Sequence, residues 1–286
     1  MQPSVDWSLR PLAEMSSAEF HDWQTLLEER SGLVVTEQRR IFLQANLSSR
    51  MREVGAPDYA SYYQQVTDGP RGAVEWSTLM DRLTVQETRF FRHPASFALL
   101  SRYLQQRGDS RVTAQPWSLW SVGCASGEET YSLAICAAEA LEESAAHFGV
   151  IGTDISLSAL SRSREGLYGP RRLEQMQPGL RERYFQPQPD QRFQVIPRLA
   201  SRVCFARLNV LELAGAPMSD MDVIFCQNLL IYFRRWRRRE ILNHLAERLV
   251  PGGLLVIGVG EVVGWHHPEL VPVADSEVLA FTRKCL

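Results

Sequence analysis

The apolar pattern of this 286-residue chain changes period part-way along, and that change constrains the fold more than any other feature. From Ser16 to about Leu83 apolar residues recur at helical spacing, with helix-start chemistry at Ser16-Ser17-Ala18-Glu19 and Thr36-Glu37 and breaks at Pro57 and Gly69-Pro70. Four short helices are predicted. From about Ala95 short apolar runs alternate with helical stretches. Strands are expected at Trp117 to Val122, Phe148 to Thr153, Asp222 to Cys226 and Leu254 to Val259; helices are expected at Ser132 to Leu141, Ser158 to Arg164 and Arg238 to Val250. Such alternation builds a parallel sheet with crossover helices. Between Tyr168 and Phe205 it fails, punctuated by Pro170, Pro178, Pro187, Pro189 and Pro197. The reading is a small all-α domain and linker over 1–83, then a doubly wound α/β domain over 84–286 with a small β-rich insertion at about 168–200.

Composition narrows the function. The 31 basic and 33 acidic residues leave a net charge of -2, so the chain lacks the overall bias that sequence-independent nucleic-acid binding needs, and no nucleic-acid partner is expected. Lys284 is the only lysine; the positive charge is otherwise arginine. The five cysteines, at 124, 136, 204, 226 and 285, form no CxxC pair and read as buried free thiols of a reducing cytoplasm. The first residues show no signal-peptide pattern and no apolar run approaches the ~18 residues of a membrane span, so a cytoplasmic protein without membrane insertion, acting as a monomer, is expected.

The most informative stretch is WSLWSVGCASGEETYSLAI, Trp117 to Ile135: an apolar strand, a turn bearing Gly123 and Gly127, and a helix-compatible run. Glycine suits a sharp strand-to-helix turn that a ligand must approach closely. It is neither the GxGxxG fingerprint nor the GxSxG elbow, so Ser126 is a poor hydrolase nucleophile. Glu128 and Glu129 put negative charge where a diphosphate would sit, which argues for a cationic ligand. The next strand ends in Asp154, where doubly wound folds place a carboxylate for ribose hydroxyls; capping of the following helix is the alternative. A further strand ends near Asn228, with Tyr232 just beyond, so three strand ends converge on one crevice.

Two basic features stand apart. Arg39 and Arg50 are 11 residues apart on a helix expected to begin near Glu37, so they project within roughly 20° of each other, beside Leu43, Leu47 and Met51, as a face able to meet an acidic helix. Arg234, Arg235, Arg237, Arg238 and Arg239 form a denser run, read as a solvated helix start or an anionic-substrate rim. His266 and His267 lack a third ligand, and no metal is expected.

LTVQETRFFR (Leu83 to Arg92), SVGCASGEETYSLA (Ser121 to Ala134), GTDIS (152 to 156), RYF (183 to 185), LNVL (208 to 211), DVIFCQNLLIYF (222 to 233) and PGGLLVIGVGE (251 to 261) resemble, in order, the motifs of the CheR-type chemoreceptor glutamate methyltransferases. GLVVTEQRRIFLQANLSSRMREVG (Gly32 to Gly55) resembles that family's N-terminal helical domain. The resemblance implies a cytoplasmic enzyme, recruited to membrane-bound receptors, that uses S-adenosylmethionine, yields S-adenosylhomocysteine, and O-methylates glutamates on the helical cytoplasmic region of a methyl-accepting receptor. By motif position, Gln86, Thr88 and Arg92 would meet the methionine end or methyl centre, Gly123 would shape the cradle, and Glu129 would hold the amino acid portion. Asp154 would hold the ribose, and Asn209, Val210, Asn228 and Leu229 would line the adenine side and adjoining pocket. Arg92 and Tyr232 would be the catalytic pair, and Arg39 and Arg50 the substrate-docking residues. Gln86, Thr130 and Gln227 stand where many members carry Asn, Pro and Arg. A non-catalytic S-adenosylmethionine-binding regulator is the alternative function.

Overall fold

The computed structural model describes residues 14–108, 115–142 and 147–285, and these part between Val85 and Gln86 into two compact units. The first unit holds four α-helices, α1 (Ser17–Ser31), α2 (Arg40–Val54), α3 (Tyr59–Thr67) and α4 (Gly69–Leu83). Local chemistry sets their ends. Ser16 and Glu19 form a reciprocal capping box on α1, Asp58 caps α3, and Gly32 and Gly55, at φ 74° and 72°, end α1 and α2 in the left-handed conformation. Trp23 stacks on Tyr62 with ring centroids 5.5 Å apart, over a core of Leu27, Leu43, Leu47, Met51, Leu79 and Met80.

The arginine face predicted on α2 is corrected in two respects. Arg39 lies outside the α-helix, ending a 3-10 turn over Glu37–Arg39, with its guanidinium 4.8 Å from the Phe42 ring centroid. Arg39 thus stands ahead of the α-helix, as the residue before its first turn, and not within it. Arg50 is held inside the unit: its Nε and Nη2 donate to the two carboxylate oxygens of Glu75 on α4, both at 2.7 Å, and Nη1 donates to Glu53 at 2.8 Å. Tyr62 Oη completes the network at 2.7 Å from Glu75. Burial works against ionisation of Glu75, but the Arg50 and Tyr62 hydrogen bonds outweigh it and hold the carboxyl below its ordinary range.

The second unit runs α5 (Pro94–Gly108), β1 (Trp117–Val122), α6 (Glu128–Ala140), β2 (Phe148–Asp154), α7 (Leu157–Glu165), β3 (Leu167–Tyr168), α8 (Pro178–Tyr184), β4 (Phe185–Pro187), β5 (Phe193–Val195), α9 (Pro197–Ala200), β6 (Val203–Arg207), β7 (Met221–Cys226), α10 (Arg235–Glu247), β8 (Leu249–Ile257), β9 (Leu270–Pro272) and β10 (Leu279–Arg283). Seven strands form one sheet in the order β6-β2-β1-β7-β8-β10-β9. The first five are parallel; β10 is antiparallel to β8 and β9. Alternate residues go to opposite faces: Leu119, Val223 and Leu254 into one core, Trp120, Ile224 and Leu255 into the other. Burial on both faces is why these strands read as unbroken apolar runs. The insertion is a second, antiparallel sheet, β3-β5-β4.

Strand order reverses at β1, whose neighbours are β2 and β7, and a crevice opens at such a point beyond the strands' carboxyl ends. Val122 pairs with Thr153 and Ser121 with Phe225, so the three ends are level. The cysteines depart in part from expectation. Cys124, Cys136 and Cys226 are buried, whereas Cys204, on the edge strand β6, and Cys285, beyond the last strand, are exposed. Among the described residues no helix is long and apolar enough to cross a membrane.

Candidate active site

The turn after β1 is fixed by backbone before any ligand is considered. Gly123 has φ 75°, and a Cβ there would stand 3.0 Å from Leu229 Cδ1; Gly127 has φ 92°, and a Cβ there would lie 2.7 Å from Ser163 Cβ. The positive φ strains a side chain at both positions, and at Gly127 one would also collide with Ser163. The amides of Gly123 and Cys124 both donate to the Thr153 carbonyl, at 2.8 and 2.9 Å. Asp154 continues this link. One carboxylate oxygen accepts from the Ala125 amide at 2.8 Å and the other from the Ser156 amide at 2.9 Å. The helix cap on α7 is Ser156, whose hydroxyl accepts from Ala159 N, so capping does not account for Asp154.

The adjacent glutamates at the start of α6 separate, because neighbouring helical positions point about 100° apart. Glu128 is buried, accepts from Ser126 Oγ at 2.7 Å and lies 3.6 Å from Arg172 Nη1. It belongs to the packing of the insertion, where Tyr168 Oη also donates to the Ser126 carbonyl. Glu129 is half-buried and accepts from Ser121 Oγ at 2.7 Å. Burial pushes its carboxyl up to about 7; the Ser121 bond opposes this, the Glu261 charge adds to it, and the Arg92 charge opposes it.

The segment from Gln86 to His93 lies along the same crevice. Gln86 Nε2 donates to Ser156 Oγ at 2.8 Å, and its Oε1 accepts from Arg162. Phe90 is buried edge-on against Tyr168 and Phe185, centroids 4.9 and 5.2 Å away, while Phe91 takes φ 52°. A left-handed phenylalanine is strained, and it reverses the chain between the Phe90 anchor and Arg92. Arg92 donates to the Glu87 carbonyl at 2.9 Å and forms no ion pair among the described residues. His93 Nε2 and Asn228 Oδ1 are 2.8 Å apart, tying this segment to the end of β7. Thr88 faces differently: its carbonyl accepts from Arg172 of the insertion.

Beyond β7, Gln227 is buried with its amide nitrogen 3.0 Å from Ser96 Oγ, and Asn228 takes φ 59°, a conformation asparagine adopts more readily than most residues. Tyr232 ends a 3-10 turn over Leu230–Tyr232 that is held from two sides. The buried Glu261 carboxylate accepts from the Leu230 amide at 3.0 Å; burial raises its pKa against the opposing effect of the neighbouring backbone amides. Arg238 donates to the carbonyls of Phe233 (2.8 Å), Glu261 (2.7 Å) and Ile231 (3.4 Å). On the other flank Leu208 N donates to the Asp154 carbonyl at 3.0 Å, bringing Asn209 and Val210 alongside, with Asn209 Oδ1 capping the 3-10 turn Val210–Gly215.

Gln86, Arg92, Gly123, Glu129, Asp154, Asn228 and Leu229 are therefore brought together, with Asn209, Val210 and Tyr232 at the edges; Arg39 and Arg50 belong to the helical unit. His93, Ser156, Arg238 and Glu261 escaped sequence reasoning as site builders. The one available signal was that His93 directly follows Arg92 and Glu261 closes the last quoted motif.

A sheet reversing at β1, a glycine turn on that strand, a carboxylate ending the next, and an acidic crevice suited to a cationic donor define the class of S-adenosylmethionine-dependent methyltransferases. The family model described as CheR methyltransferase, SAM binding domain, matches residues 86–279, and that of the CheR methyltransferase all-alpha domain matches 18–84. The chain belongs to the CheR methyltransferase family. It is 33% identical over 250 residues to a chemotaxis protein methyltransferase of Klebsiella aerogenes, covering 86% of this chain and 84% of that one. With its Escherichia coli counterpart it shares 32% over 251 residues, covering 86% and 85%. A probable biofilm formation methyltransferase, WspC, of Pseudomonas putida is 34% identical over 258 residues, 90% of this chain and 60% of that one. The chain is an S-adenosylmethionine-dependent methyltransferase of chemotaxis type.

Proposed function

We propose that the chain transfers a methyl group to glutamate side chains on the helical cytoplasmic region of a methyl-accepting receptor. The observation that carries this is Arg92: a guanidinium whose charge reaches Glu129, hydrogen-bonded to a backbone carbonyl and, among the described residues, to no carboxylate. A cation so placed beside a donor pocket suits an anionic acceptor.

The residues fit the donor. Glu129, whose ionised form an ammonium group would favour against the effect of burial, is suited to the donor's amino acid portion; Asp154, held at the end of β2, is suited to ribose hydroxyls; the Gly123 cradle admits close approach. Gln86 would lie toward the methionine end, with Thr88 contributing through the backbone, and Asn209, Val210, Asn228 and Leu229 toward the adenine. When bound, S-adenosylmethionine supplies a methyl carbon on a sulfonium sulfur, open to in-line displacement by a carboxylate oxygen. A glutamate with pKa near ~4.3 is ionised at neutral pH, so the protein needs no general base. Arg92 orients the acceptor carboxylate, and Tyr232, fixed by the Glu261 and Arg238 contacts, walls the approach and excludes water. Positioning of this kind supplies several kcal/mol, within the ~7–11 available from orientation.

The test is transfer from methyl-labelled S-adenosylmethionine to receptor-containing membranes. The expected product is label on glutamate side chains, released as methanol by mild alkali. Donor binding without transfer to any receptor would refute the assignment and leave the non-catalytic regulator.

A further inference from the structure

On the carboxylate-methylation reading one side chain enters the crevice while the rest of a protein substrate rests on the surface around it, and that surface has a distinctive composition on the β7 and β8 side. Among the described residues of the α/β unit, six large apolar side chains are exposed. Leu157 and Val271 are scattered, while Ile231 (51%), Trp236 (55%), Val259 (71%) and Val263 (70%) all lie in the loops after β7 and β8 or the first turn of α10. These loops are one structure. Arg238 donates to Ile231, Phe233 and Glu261 carbonyls, and the Glu261 carboxylate holds the Leu230 amide, so Val259 and Val263 flank the residue that locks the Tyr232 turn. Four exposed apolar side chains gathered in two linked loops are a candidate interaction surface.

Charge selects the partner. Among the described residues Arg235 is exposed with no ion-pair partner, and Arg239 donates to the Gly264 carbonyl at 3.5 Å and has no ion pair; Arg237 pairs with Glu240 and lies 4.2 Å from the Trp236 ring centroid. Between Gln227 and Arg239 there is no acidic residue, and the only one between Gly258 and Pro268 is the buried Glu261. Cations in the first turn of a helix oppose its dipole, so helix stability does not account for them.

We propose that the loops after β7 and β8 are the seat for an amphipathic acidic helix of the protein substrate: Ile231, Val259, Val263 and Trp236 take its apolar side chains, and Arg235 and Arg239 take carboxylates beside the glutamate that enters the crevice. The seat adjoins Tyr232 in sequence, so it continues the site instead of forming a separate one. This rests on the carboxylate-methylation reading. A lipid surface would also meet apolar and basic residues, but it would not present a glutamate to the crevice.

The experiment compares wild type, Val259→Ser with Val263→Ser, Arg235→Glu with Arg239→Glu, and Arg39→Glu. Assays use a soluble helical receptor fragment as acceptor and calorimetry with S-adenosylhomocysteine for the donor site. The apolar pair is expected to raise KM for the fragment about ten-fold or more, with kcat and donor Kd within about two-fold of wild type. The charge pair is expected to raise KM and flatten its dependence on salt. Unchanged KM in both pairs, with donor Kd intact, overturns the seat alone. So does a rise in KM confined to Arg39→Glu, which would move docking to the helical unit, or loss of binding to phosphatidylglycerol vesicles at unchanged KM, which would make the patch a membrane contact. If wild type transfers nothing to any receptor fragment, the methylation reading falls and the seat with it.

Discussion

Glu129 should make donor binding depend on pH near neutrality. Burial raises this carboxyl to about 7, against an ordinary value of 4.5. A bound ammonium group favours the ionised form and lowers the pKa again, so binding near neutrality must expel a proton from some of the molecules. If only the ionised form binds, apparent Kd scales as one plus the ratio of protonated to ionised Glu129. Affinity is then near its limit at pH 8, about two-fold weaker at pH 7 and about ten-fold weaker at pH 6, a loss of ~1.4 kcal/mol. Calorimetric titration with S-adenosylhomocysteine from pH 6 to 8, in two buffers of different ionisation enthalpy, should show this slope and release of about half a proton at pH 7. Glu129→Gln keeps an acceptor for Ser121 but cannot titrate; it should bind more weakly by ~1–3 kcal/mol and with a flat pH profile. Glu128 and Glu261 are also raised by burial, so the substitution is what isolates Glu129. A flat profile in wild type, or an unchanged slope in Glu129→Gln, would refute the reasoning. The sign for folding runs the other way: a carboxyl raised in the folded state adds stability below its unfolded pKa and loses it as pH rises through about 7. Glu129→Gln should therefore raise the Tm of the empty protein at pH 8.

Asp154→Ala should weaken S-adenosylmethionine and S-adenosylhomocysteine alike by ~1–3 kcal/mol, and equal calorimetric affinity in a folded variant would remove Asp154 from the site. Arg92→Ala and Tyr232→Phe should lower kcat in receptor methylation more than donor affinity, with Arg92→Lys also impaired because the planar fork is lost; normal turnover in all three would defeat their catalytic assignment. Arg50→Ala leaves Glu75 and Tyr62 without their cation and should destabilise the helical unit by ~1–3 kcal/mol in denaturant unfolding; full stability would show the network to be idle.

The features legible in sequence are those encoded over a few residues. The glycine turn and Asp154 at the end of β2 follow from strand and turn chemistry read locally, whereas α6 begins at Glu128, a turn earlier than the expected Ser132, and the family motifs added the order in which the strand ends contribute. The reading weakened wherever a residue's role depends on a distant partner. Glu128 and Glu129 are indistinguishable in the string GEET, yet packing of the insertion turns one into a buried structural acceptor and leaves the other at the crevice. Arg50 looked free because its partner, Glu75, lies on another helix, and Arg39 falls in a 3-10 turn ahead of the helix expected to carry it. His93 with Asn228, Gln86 with Ser156, and Glu261 with the Leu230 amide join segments well separated along the chain.

By itself, then, the amino-acid order determined the periods of the elements, the class of fold they assemble into and the types of group that line the crevice, because period, capping and turn chemistry act over distances of a few residues. The tertiary structure decided which charges are spent within the fold: Arg50 and Arg238 are committed, while Arg92 and Arg235 carry no ion pair among the described residues. A charge is neutralised by whatever lies within a few ångströms of it, and that neighbourhood is set by the packing of helices and strands far apart in the chain.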